Sequence, residues 1–418
     1  MFKYICVCVF CAGVYSAAFC MADEKADAEL EALRQAAQSE TGSSDESLSD
    51  DNGGAFTSGA LALQALNPEI SVVGDVLWKS RNGGGPDALS SDFIFRTLGI
   101  HAQAYLDPYT RFKAAVEFSE DGTELGEAYM TRFGILPHLN LTLGKFRQQF
   151  GVVNRWHKHG LDQVDFPLAL RCIFGDDGLN QTGVSLEWTM PDVAGFSQSV
   201  LVQVTDGQND NLFAGNSDNK PSELAHYKMF RDLSASTYAE CGFSVLHGEN
   251  QEWGDADDAV KDALDTFVYG ADFTVLWEPT DEMRYRNLTW RSEMYVLNKD
   301  ILAPDGSGED TLDAWGLYSY LQSKISRTFI VGMRVDYFVP DTKPYAADDA
   351  SDFISALAVT ESGADRWQIT PYITWNQSPF VHFRMEYDYQ DGSGTGPDEQ
   401  TFWLQCIFAA GPHKHERY

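Results

Sequence analysis

The sequence predicts an all-β chain: an antiparallel transmembrane β-barrel of about sixteen strands, preceded by a short N-terminal helical or disordered periplasmic arm. Three observations predict it. Apolar and polar residues alternate with period two from residue 67 onward. The alternating segments run for about 10–13 residues, longer than the ~5–6 usual in globular sheets and enough to cross a bilayer at a tilt. Short and long connections also alternate along the chain.

Composition narrows the classes. The chain has 418 residues, with 30 Lys+Arg against 62 Asp+Glu and a formal net charge of −32. So acidic a surface repels a phosphate backbone, and no nucleic-acid partner is expected. An aromatic content of 13% excludes a disordered acidic tail. Mean hydropathy is −0.29, and beyond the N-terminus no apolar run reaches the ~18–20 residues of a membrane helix. That excludes a helical membrane protein but not a barrel, whose alternating strands average to a soluble-like value.

Residues 1–22 read as a secretory signal peptide. Lys3 supplies a positive start, residues 5–18 are almost wholly apolar, and small residues follow before Asp23 and Glu24. An uncleaved anchor and a lipid-modified Cys20 compete, but Phe19 stands where a lipobox has a small residue. Four of the seven cysteines fall in this segment. Cys172, Cys241 and Cys406 remain, too far apart for a zinc site and read as buried or lipid-facing small residues.

Residues 23–65 form an acidic periplasmic segment. Ala26, Leu30, Leu33 and Ala37 share one helical face, and a Ser-, Gly- and Asp-rich linker follows. Residues 23–52 hold ten acids and two bases. The segment reads as a solvated arm or a short trimeric coiled coil, though under two heptads is too short to fold alone.

Residues 66–418 carry the barrel. Ile70, Val72, Val76 and Trp78 alternate with Ser71, Asp75 and Lys79. Phe112, Ala114, Val116 and Phe118 oppose Arg111, Lys113 and Glu117. Val184, Leu186 and Trp188 oppose Ser185 and Glu187, and Phe273, Val275 and Trp277 oppose Asp272 and Thr274. Leu288, Trp290, Met294 and Val296 oppose Arg291 and Glu293. Val331, Met333, Val335 and Tyr337 oppose Arg334 and Asp336. Ile369 and Ile373 oppose Gln368, Thr370 and Thr374, while Phe383, Met385, Tyr387 and Tyr389 oppose His382, Arg384, Glu386 and Asp388. Phe402, Leu404, Cys406 and Phe408 close the series. Aromatics gather at the strand ends, as in a membrane girdle.

Seven short turns are expected near residues 107–110, 136–138, 191–195, 233–236, 279–283, 326–327 and 377–380. Eight longer loops are expected near 81–91, 119–123, 150–180, 207–222, 249–266, 302–311, 340–365 and 391–399. Interleaved, they give sixteen strands with both termini on the short-turn side. The strand at 223–231 is the weakest pattern and rests partly on this parity.

Three segments resemble the phosphate-selective porin family and relatives labelled zinc-regulated outer-membrane receptor. They are Leu66-Asn-Pro-Glu-Ile-Ser-Val-Val-Gly-Asp75, Gly144-Lys-Phe-Arg-Gln-Gln-Phe-Gly151 and Gly178-Leu-Asn-Gln-Thr-Gly-Val184. The ending Gly411-Pro-His-Lys-His-Glu-Arg-Tyr418 resembles the latter relatives. The resemblance implies an outer-membrane barrel whose long loop, after the Gly-Lys-Phe-Arg segment, folds into the pore with basic residues at its narrowest part. The matching positions are Lys145 and Arg147, with Arg155, Lys158 and Arg171 in the loop. The chain departs from a basic-rich pore in its many lumen-phase acids, so phosphate selectivity does not carry over.

The expected lumen lining is Arg111, Lys113, Glu117, Glu187, Asp272, Arg291, Glu293, Arg334, Asp336, Arg384, Glu386 and Asp388. Opposed charges would set a transverse field across a channel, or simply pair along the wall. Two His-x-His pairs, His157/His159 and His413/His415, are weak metal candidates whose expected state is exposed surface histidine. No Gly-x-Ser-x-Gly elbow or phosphate-cradling loop occurs, so no enzyme and no cofactor are expected.

The expected function is a porin-like channel for passive diffusion of small polar or charged solutes, in the outer membrane of a Gram-negative bacterium. Its partners would be outer-membrane lipid and lipopolysaccharide, its solutes or ions, and other copies in a homotrimer. The alternatives are a closed or loop-binding barrel, acting as receptor or metal-capturing surface protein, and a secreted all-β protein with no pore.

Overall fold

A computed structural model describes residues 68–83, 89–213, 220–250, 264–302, 309–343, 357–359, 365–391 and 398–411. The expected signal peptide, the acidic arm and the His413/His415 pair lie outside the described residues.

Sixteen antiparallel strands close into one barrel. They are β1 (Glu69–Asn82), β2 (Leu89–Asp107), β3 (Thr110–Ser119), β4 (Gly122–Leu136), β5 (Leu139–Arg147), β6 (Asn180–Val193), β7 (Phe196–Thr205) and β8 (Ser222–Ser234). Then come β9 (Thr237–Asn250), β10 (Leu264–Trp277), β11 (Asn287–Leu302), β12 (Glu309–Lys324), β13 (Phe329–Val339), β14 (Arg366–Asn376), β15 (Val381–Gln390) and β16 (Glu399–Ala410). Each strand pairs with its sequence neighbours, and β1 closes on β16 in a register running from Val72↔Ala410 to Asn82↔Gln400. Closure leaves no strand edge unpaired, the condition for crossing hydrocarbon with strands. A separate two-residue parallel pair joins Asp341–Thr342 to Ala358–Val359.

The strand at β8, weakest in the sequence, spans Ser222–Ser234 and pairs with both β7 and β9. One connection is shorter than expected. Residues 119–123 hold a tight turn, with Ser119 paired to Gly122, because only Glu120 and Asp121 separate the two strands. On the short-turn side, Ala194 (φ 53°) and Gly195 (φ 77°) link β6 to β7. Two successive positive φ values match the right-handed twist of the flanking strands, as in a type I′ turn.

The period-two faces divide as the pattern predicts. On β11, Arg291, Glu293, Tyr295 and Leu297 point inward and are buried, while Leu288, Trp290, Met294 and Val296 are exposed. Aromatic pairs mark both rims of the exposed band. Phe329–Trp375 and Trp375–Phe383 stack at the short-turn end, and Trp315–Tyr337 and Trp367–Tyr389 meet at the long-loop end. An apolar outer band between aromatic rims is the surface a membrane barrel presents to lipid.

The barrel interior is not empty. Residues 148–179 fold inward and carry a short helix, α1 (Leu168–Phe174). Phe150, Trp156, Phe166, Ile173 and Phe174 from this segment pack on inward residues of β7 to β13, including Leu201, Val268, Tyr295 and Phe338. Leu212, Phe213 and Leu357 from two other loops join the same cluster. One side of the lumen is therefore a dry core.

Candidate functional site: a cavity between the inward loop and the barrel wall

The inward loop is built from β5 and β6 upward. Its two ends are pinned together. Gln148 donates its backbone N–H to Leu179 at 3.1 Å. Asn154 bridges the same ends: its Nδ2 donates to the Gln148 oxygen at 2.8 Å and the Leu179 oxygen at 3.1 Å, and its Oδ1 accepts the Leu179 N–H at 2.8 Å. Gly178 (φ 68°) allows this approach, since a Cβ there would sit 2.3 Å from Asn154 Oδ1.

Buried backbone N–H groups need acceptors. The inward-facing acids supply them. Glu293 Oε1 accepts from Val152 at 3.1 Å and Val153 at 3.0 Å, and the carboxylate also takes the hydroxyls of Tyr295 and Tyr318 at 2.7 Å each. Glu386 accepts from Val164 N–H at 3.0 Å, and Asp336 from Leu168 N–H at 2.9 Å. Cations hold the loop's carbonyls. Arg384 donates to Leu161 at 2.9 Å, Arg96 to Val164 at 2.7 Å and Arg334 to Asp165 at 2.9 Å. Arg291 lies 4.6 Å from the Trp156 ring centroid.

His157 forms the clasp on the opposite wall. Its Nδ1 meets Glu117 on β3 and its Nε2 meets Glu127 on β4, both at 2.9 Å. Burial opposes protonation of the ring, but the two carboxylates outweigh it and raise its pKa above the ordinary histidine value. The rings of His101 and His159 stand 5.1 and 5.4 Å from it by centroid. Lys113 reaches Glu127 at 3.2 Å. Asp165 is also shifted: burial raises its carboxyl, yet Arg96, at 3.2 Å, and further cations hold it below the ordinary range.

Between this loop and strands β1 to β7 lies a cavity of about 750 Å³. Arg111, Lys113, Arg147 and Arg155 line it together with Glu69, Glu127 and Glu187. Tyr105, Tyr129 and Phe133 form its apolar wall. Arg147 is held in place by the carbonyl oxygens of Asp177 at 2.8 Å and Asn154 at 3.4 Å. A second cavity of about 260 Å³ lies against β1 and β13 to β16.

The basic residues expected together at a constriction are thus divided. Arg147 and Arg155 line the large cavity, whereas Lys158 and Arg171 line the small one. Lys145 lines neither; its Nζ is 3.8 Å from Glu124. The expected lumen lining divides too. Arg111, Lys113 and Glu187 face the large cavity, Arg334 and Asp388 face the small one, and Glu117 holds His157. Asp272, Arg291, Glu293, Asp336, Arg384 and Glu386 point inward but are buried. These six face the folded-in loop rather than open water, because it uses most of them as anchors.

His157 and His159 are buried, not exposed as expected. Their loop folds into the lumen, and its partners Glu117 and Glu127 are too distant in sequence to signal this. Among the described residues, no group of three or more His, Cys, Asp or Glu is arranged to hold a metal ion. Cys172, Cys241 and Cys406 are free thiols. Sequence reasoning missed Asn154, Glu127 and Gly151 as loop-fixing residues. A signal was visible on β11, where Tyr295 and Leu297 make the inward face apolar toward the long-loop end, and Val268, Tyr318, Tyr320 and Phe338 repeat it on the neighbouring strands.

The fold is a sixteen-stranded barrel of the porin type. Among solved structures, the anion-selective porin from Comamonas acidovorans superposes with a TM-score of 0.53 at 11% identity, covering 82% of this chain and 99% of that one. The high-pH structure of Pseudomonas putida OprB gives 0.53 at 10% identity over 87% and 100% of the two chains. The outer membrane channel DcaP of Acinetobacter baumannii gives 0.52 at 12% over 82% and 98%. At these identities the likeness defines the fold. An uncharacterized protein of Aquifex aeolicus (strain VF5) is 24% identical over 317 residues, 67% of this chain and 66% of that protein. The match thus spans just under two thirds of that relative. No family model matches the chain.

Proposed function

We propose that the protein is a porin-like channel of the outer membrane of a Gram-negative bacterium, passing small polar or charged solutes by diffusion. The observation that carries this reading is the cavity of about 750 Å³ left between the inward loop and the β1–β7 wall. Its lining of mixed Arg, Lys and Glu side chains would orient a charged solute, and its aromatic wall would remain in contact with the solute's apolar part. Arg147 and Arg155 are the constriction residues in this reading, with Arg111, Lys113 and Glu187 as lining. The barrels of the Comamonas porin and the Acinetobacter channel have the same architecture, which supports a conducting role. Assembly as a homotrimer, a leader on residues 1–22, a periplasmic arm on residues 23–65 and the absence of enzymatic activity belong to the same proposal.

A closed barrel is the second reading, favoured by the dry core that fills the β7–β13 side of the lumen. Single-channel recording of the purified full chain in planar bilayers separates the two. Discrete conductance steps support the channel; none at any salt concentration leaves the closed barrel.

A further inference from the structure

The smaller cavity carries a role of its own. We propose that it is a blind pocket that binds a small solute bearing a single carboxylate, apart from the conduction path. Its lining comes from the long-loop ends of β1 and β13 to β16 and from the inward loop. The next inward residues down those strands seal the floor: Leu77, Gln405, Glu386 and Thr370 are each 3% exposed or less. A cavity closed below holds a solute rather than passing it.

Its donors point to an anion. Arg334 is fully buried; its Nε donates to Asp336 at 2.7 Å and its Nη1 to the Asp165 oxygen at 2.9 Å. Its Nη2 has no hydrogen-bond partner among the described residues, although Arg334 lines the cavity. Such a buried guanidinium donor is costly to leave unmet. Lys79 stands 4.8 Å from the Trp403 ring centroid, and Arg171 reaches in from α1. Neither has a carboxylate within ion-pair distance among the described residues.

Three of the four acids around the pocket are already engaged. Asp165 pairs with Arg96 at 3.2 Å and Glu399 with Arg81 at 2.5 Å. Asp388 accepts from Thr370 at 2.6 Å and from the Trp403 indole at 2.8 Å. Spare donors on three cations suit the two oxygens of a carboxylate, while Asp388 and the rim residue Asp176 repel a second negative charge.

The test uses the purified full chain in detergent and saturation-transfer NMR, with propionate as probe. Saturable propionate binding, displaced by acetate, is expected. It should weaken about tenfold or more in a K79M/R171Q double variant, which leaves the Arg334 anchor intact. The proposal is overturned by no saturable binding, by equal binding of neutral propionamide, by undiminished binding in the double variant, or by phosphate displacing propionate better than acetate does. Propionate binding by a barrel that shows no conductance would sink the channel reading while leaving this one standing.

Discussion

Glu293 on β11 accepts the backbone N–H of Val153 at 3.0 Å, so a wall carboxylate forms part of the loop's own backbone hydrogen bonding. The same group takes Val152 and two tyrosine hydroxyls, and it is buried. Glu293→Ala would strand two amides and two hydroxyls, at a cost on the order of 3 kcal/mol or more. We expect a lower Tm and larger, noisier single-channel conductance as the loop leaves the wall. A variant with wild-type Tm and conductance would remove Glu293 from this role.

Gly151 makes that contact possible. Its φ is 59°, and an added Cβ would stand 2.2 Å from Glu293 Oε2. Gly151→Ala combines left-handed strain with a clash against a buried carboxylate. Its expected effect on Tm and conductance has the sign of Glu293→Ala, and the double variant should fall short of additivity because the two residues touch. Full additivity, measured by thermal melts, would contradict the contact.

The clasp at His157 gives a pH dependence with a definite sign. Its folded pKa lies above the ordinary value of about 6.5, so its stabilisation is complete below that value and is lost as pH rises through the raised one. A neutral imidazole donates from one nitrogen only, leaving Glu117 or Glu127 without its hydrogen bond. Lys113 and Arg147 also face these carboxylates and soften the loss. Tm should therefore decline from neutral to alkaline pH, and His157→Gln should flatten that slope. An unchanged slope in H157Q would assign the decline elsewhere.

Charge substitutions should separate lining from anchor. Arg147 borders the large cavity, so Arg147→Glu is expected to move the reversal potential under a salt gradient toward cations. Glu386 is buried under the loop and holds Val164, so Glu386→Gln should lower Tm and leave ion selectivity near wild type. The opposite pattern would mean that water reaches Glu386 and not Arg147.

Cys172 on α1 is buried, and burial raises its thiol pKa. A hydrophilic maleimide should leave it unmodified in the folded barrel and label it after denaturation, as mass spectrometry would register. Rapid labelling of Cys172 in the native state would show α1 outside the core.

The barrel was legible because each strand separates two unlike solvents. Phe383, Met385 and Tyr387 against Arg384, Glu386 and Asp388 fix both face and phase, and parity of the connections recovers even β8. The site was less legible. Glu293 and Asp336 read the same in sequence whether they meet water or backbone amides, because alternation reports the face of a strand and not what covers it. His157 belongs to a segment without period, so nothing local ties it to Glu127. A clue lay in Tyr295 and Leu297, apolar on the face that also carries Arg291 and Glu293, and in inward Val268, Tyr318 and Phe338 on the strands beside it.

Asn154 also decides what kind of object the inward segment is. By joining the two roots of residues 148–179, it makes them a self-contained insert whose ends meet at fixed positions on β5 and β6. Loop-closure entropy grows only slowly with length once such a junction exists. The insert's roots can then stay in place while its length changes, provided the wall carboxylates that hold it, Glu293, Asp336 and Glu386, change with it, and the bore of the lumen becomes a joint property of the insert and the staves around it.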